Sequence, residues 1–127
     1  MRSLKLVLVA TLTLSLVGLS GVFTTAQEKK ADPKFKIADV MKEAMKGGLC
    51  TKVAEGKASK EEMTTLVEMF TALGQNTPPK GEAASWKEKT SALVAAAKEC
   101  VDKKEGAGDK LKKAANCMAC HSVHRGK

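Results

Sequence analysis

The chain has 127 residues, a formal net charge of +8, three Phe, one Trp and no Tyr; this allows one ordinary domain and excludes two. With so few rings, the core must be aliphatic or be filled by something other than side chains. The positive charge is mostly Lys and is spread along the chain, with Arg only at Arg2 and Arg125, which argues against nucleic acid and for attraction to acidic protein surfaces.

The N-terminus reads as a secretory leader. Met1 to Lys5 is a short positive start, Leu6 to Leu19 is apolar apart from Thr, Ser and Gly, and Thr24 and Ala26 are small residues before a polar turn. That layout predicts cleavage after Ala26. The expected division is a signal peptide, 1–26, and one domain, 27–127. The apolar run is short for a membrane span of ~20 residues, and no other candidate span follows. The mature protein is therefore expected to be soluble and exported, periplasmic in a two-membrane cell, where thiols can oxidise. Phe35, Phe70 and Trp86 are its remaining aromatic residues.

Four helices are expected. The first starts at Asp32-Pro33, with Asp as cap and Pro in the first turn. Ile37, Met41, Ala44 and Met45 share its inner face, and Gly47-Gly48 interrupts it. Leu49 to Ala54 forms a further short turn. The second helix starts at Ser59, with Glu62 completing a capping box. Met63, Leu66, Val67, Phe70 and Leu73 form its apolar stripe, leaving Met69 off it. The third repeats the pattern with Ser85 and Glu88, and its face carries Trp86, Thr90, Leu93, Val94, Ala97, Cys100 and Val101. The fourth runs from Asp109, with Leu111, Ala114, Ala115, Met118 and His121 on one face. Strand signals are almost absent. Helices of this length with short loops predict an all-α, up-down-up-down four-helix bundle.

The fourth helix carries Cys117-Met118-Ala119-Cys120-His121. C-x-x-C-H is the attachment signal for c-type haem. Helical spacing brings Cys117 and Cys120 onto one face for two thioether bonds, and His121 can offer an imidazole nitrogen to the iron. A dithiol redox pair expects a strand–helix setting, and a structural zinc ion needs four ligands; both fit this chain less well. The expected cofactor is one covalent haem c with its iron, near the C-terminal end of the fourth helix.

With this motif on the last of four helices, the chain resembles the class II cytochromes c, the cytochrome c-prime family. In that family a basic residue commonly stands four positions after the haem His, and Arg125 matches it. The residue before it is often Tyr, and His124 departs from that. The resemblance implies a haem between the helices at one end of the bundle, with Arg125 in its surroundings.

His124 lies three residues from His121 on the same helix and cannot reach the opposite haem face. Met, Lys or an open position remains for the second iron ligand. In an up-down bundle Met41 and Met45 climb from the haem end on the inner face of the first helix. The low-spin members of the family use a Met on that helix, which implies Met41 as the distal ligand, with Met45 second. Both are also ordinary core fillers. Phe70, Leu73 and Trp86 are expected as haem walls. Cys50 and Cys100 remain: at the end away from the motif, they form either a disulfide or two buried thiols.

A His/Met iron has no open position, so the function expected is single-electron transfer between redox partners, one of them acidic. A five-coordinate iron that binds a diatomic gas such as nitric oxide is the alternative, and a helical scaffold without haem a third. No catalytic triad or carboxylate pair stands out, so an enzyme is not expected. Members of the family often form homodimers, but no interface is legible in this chain.

Overall fold

The computed structural model describes residues 32–126, so the leader expected over 1–26 lies outside the described residues. Among the described residues the chain is helical and contains no strand. No helix among them is long and apolar enough to cross a membrane.

The first helix, α1 (Ile37–Val40), starts later than the Asp32-Pro33 signal. Two contacts explain the delay. The Phe35 carbonyl accepts from Asn76 Nδ2 at 2.9 Å, which ties the preceding segment to a distant part of the chain. The Lys36 backbone N–H then donates to Asp39 Oδ2 at 3.0 Å, so Asp39 performs the capping that Asp32 was expected to provide. After Val40 the coil widens into a π-helical turn, Met41–Lys46, closed by the Gly47 N–H on the Lys42 carbonyl at 2.8 Å. A side chain at Gly47 would collide with the Glu43 carbonyl. Gly48 is left-handed, with φ of 78°, and opens α2 (Leu49–Ala54).

Ser59 and Glu62 form the expected capping box at the start of α3 (Lys60–Gln75): Glu62 N–H to Ser59 Oγ at 3.2 Å, and Ser59 N–H to Glu62 Oε2 at 2.8 Å. The buried set includes Leu66, Phe70 and Leu73 as expected, but Met69 is also buried, at 2% exposure. The reason is that α3 packs against α1 and α2 as well as α4 (Ala83–Val101), so a wider arc than one stripe is covered.

Ser85 does not cap α4. That helix begins two residues earlier, behind Glu82, and leaves the Ser85 hydroxyl for a tertiary bond. Trp86 and Thr90 are buried; Trp86 Nε1 donates to the Leu73 carbonyl at 3.2 Å, joining α4 to the end of α3.

The expected fourth helix is two helices. α5 (Ala107–Ala114) packs on α4 and α2, and α6 (Cys117–His124) packs on α4. The break falls at Asn116, whose side chain caps α6. It also redirects the motif: Met118, expected on the inner face with Leu111, is 71% exposed, while Leu111 is fully buried.

Candidate functional site

The sequence motif lies entirely within α6. Asn116 Oδ1 accepts the Met118 N–H at 3.0 Å and the Ala119 N–H at 3.2 Å, so the helix starts at Cys117. Cys117, Cys120 and His121 therefore share a short, capped helix rather than the tail of a long one.

All three open onto one cavity of about 530 Å³. This lies within the ~300–1,000 Å³ range of pockets that hold cofactor-sized molecules. Across it stand Ile37 and, from the π-helical turn, Met41 and Met45; Trp86 of α4 closes another wall. The lining is predominantly apolar. Lys46 and Arg125 are the two cations on it. The residues expected at the site on sequence grounds are thus largely brought together: Met41, Trp86, Cys117, Cys120, His121 and Arg125 meet at one cavity. Phe70 does not line it. That ring is fully buried in the core and faces the groove between α3 and α4, beside Gly74 and Thr90.

The two histidines differ. Among the described residues the His121 ring takes no hydrogen bond, and it is half-buried on the cavity wall. The His124 ring is 2% exposed and bonded at both nitrogens: Nδ1 lies 2.9 Å from the Lys80 carbonyl and Nε2 lies 3.1 Å from Ser85 Oγ. Of the two histidines, only His121 has ring nitrogens without a partner among the described residues.

Burial holds the Cys120 thiol above its ordinary pKa, against a smaller opposing pull from the Lys89 ammonium. Cys50 and Cys100 are unbridged, buried thiols. Cys50 is pushed up to about 11, by burial first and then by the neighbouring sulfurs of Cys100 and Cys117.

Among the described residues no three His, Cys, Asp or Glu side chains gather to hold a bare metal ion. The arrangement instead offers one imidazole and two thiols from α6 and two thioethers from the π-helical turn, all on one cavity.

Sequence reasoning missed Lys46 and Pro79 on the cavity wall and the true role of Ser85. Lys46 follows Met45 immediately, and both line the cavity from the π-helical turn. Ser85 gave a false cap signal because Ser and Glu three apart also occur inside a first turn. No known protein family, curated protein or solved structure matches the chain.

Proposed function

We propose that this chain is an exported c-type haem protein that passes single electrons between redox partners, built as a four-helix bundle of the class II cytochrome c kind. The observation that carries this reading is the cavity at which Cys117, Cys120 and His121 face Met41 and Met45.

The residues fit haem. The cavity is apolar and of cofactor size, two thiols three apart on one helix suit two thioether bonds, and the unengaged His121 imidazole suits an iron atom. Cys117 and Cys120 would hold the macrocycle, His121 would be the proximal ligand and Met41 the distal one. Lys46 and Arg125 would place positive charge near its carboxylates. The group would supply one-electron chemistry at iron, and a thioether ligand would raise its potential. The protein's own part is to exclude water with Trp86, Ile37 and the two methionines, and to present its Lys-rich surface to an acidic partner. A second copy of the chain is a further partner in this reading.

The deciding measurement is the pyridine haemochrome of the purified mature protein together with its spin state. A covalent haem with a low-spin ferric spectrum and a Met–iron charge-transfer band is expected. A high-spin spectrum that shifts readily with carbon monoxide would replace electron transfer by gas binding. A chain without covalent haem, after expression with attachment machinery, would overturn both.

A further inference from the structure

The motif helix α6 has eight residues, fewer than an isolated helix needs to be stable in water. It packs on α4, and its most buried side chain is His124. The two bonds of that ring determine its tautomer. A carbonyl can only accept, so Nδ1 carries the proton and donates to Lys80 O at 2.9 Å. In the neutral ring Nε2 is then the acceptor, and the Ser85 hydroxyl donates to it at 3.1 Å. The Trp86 ring meets His124 edge-on, with centroids 5.3 Å apart and planes at 73°. Gly81 makes room: a Cβ there would stand 2.7 Å from Nδ1, and its φ of +86° is one that side chains avoid.

We propose that His124 is the positioning residue of the candidate site. It locks α6 onto the start of α4, so that Cys117, Cys120 and His121 face the cavity before anything binds there. The same two bonds occupy both of its nitrogens, which removes His124 as a competitor to His121 for iron. What is positioned rests on the haem reading; the lock itself does not.

Two measurements test it. The first is a long-range ¹H–¹⁵N spectrum of the mature, reduced protein under carbon monoxide, which leaves any haem iron diamagnetic in either ligation. It should show a protonated Nδ1 and an unprotonated Nε2 on His124. The reverse tautomer, or averaging between the two, would overturn the proposal. The second compares His124→Phe, which keeps a ring against Trp86 but loses both bonds, with His124→Gln, which keeps a donor and an acceptor. Amide exchange across α6, relative to α3, should rise about tenfold in the Phe variant and return most of the way in the Gln variant. The ferric spectrum of the Phe variant should become a mixture of spin states. Should the Phe variant fail to fold, Ser85→Ala removes one bond and should raise α6 exchange a few-fold. Unchanged α6 exchange in the Phe variant, or in Ser85→Ala where that stands in for it, would refute the lock. Absence of covalent haem would refute the proposed function, while tautomer and exchange would still decide the role of His124.

Discussion

The Asn116 side chain receives the Met118 backbone N–H at 3.0 Å, and this bond makes the C-x-x-C-H motif a helix of its own. With the second bond to Ala119, it satisfies two donors that a helix start leaves without partners. Asn116→Ala should cost about 1 kcal/mol of stability. Exchange of the Met118 and Ala119 amides should accelerate ahead of the rest of α6. Asn116→Asp should keep the cap and gain slightly from a negative charge at the helix start. Equal exchange in the native and Ala proteins would show that neighbouring contacts, not the cap, set this helix.

Much of this was legible in the chain. The Ser59–Glu62 box needs only two residues at a fixed spacing, and it formed where expected. The C-x-x-C-H motif named three residues of the cavity wall, and the inner-face methionines named the opposite wall. What failed was set by contacts distant in sequence. Asn76 reaches across 41 positions to Phe35 and delays the first helix. His124 reaches 39 positions to Ser85 and uses the side chain that had been read as a cap. Asn116 gives no clear break signal in the sequence because Leu111 to Ala115 before it and Met118-Ala119 after it are good helix formers. An up-down topology puts the end of the second helix, with Phe70 and Leu73, at the cofactor, but neither lines the cavity: both are buried in the helical core.

The two thiols outside the motif should be chemically quiet. Cys50 and Cys100 are 6% and 8% exposed, and the Cys50 thiol is pushed up to about 11. At pH 8 the thiolate of Cys50 is about one part in a thousand, and only the thiolate is alkylated. With Cys117 and Cys120 bonded to haem as proposed, iodoacetamide should leave the native mature protein nearly unlabelled at pH 8 and label two sites per chain after denaturation. Cys50 labelling of the native protein should rise as pH approaches 11. Two sites that stay unlabelled after denaturation, but appear on reduction, would mean a disulfide joins the pair.

Acid should weaken the start of α3. The Glu62 carboxylate accepts from Lys52 Nζ at 2.6 Å and from the Ser59 N–H, and these hold it below the ordinary value of 4.5. A folded-state pKa below the unfolded one means that this stabilisation is complete above about 4.5. It is lost as pH falls through the lower, folded value. Glu62→Gln should therefore melt earlier than the parent at pH 7, with the gap closing towards pH 3. Because the pair is exposed, the effect should be small and should shrink further in salt. A gap that persists unchanged at pH 3 would assign the loss to packing or capping instead of charge.

Met41 opens the π-helical turn and Met45 stands one residue before its end, and both line the same cavity as His121. A π-helical turn takes more residues per turn than an α-helix, and such turns recur at functional sites. The two thioethers are four residues apart, a spacing that keeps them on one face of the coil. If Met41 is the distal ligand, Met41→Ala should convert a low-spin ferric spectrum to high spin and open the iron to carbon monoxide. Met45→Ala should leave the spin state alone and cost stability only, since a half-buried Met fills space without a directional bond. The pattern reversed would transfer the ligand role to Met45. A low-spin spectrum that neither variant changes would leave both as wall residues and give the second iron position to another group, the Lys46 amine on the same cavity first; a high-spin spectrum that neither changes would mean a five-coordinate iron.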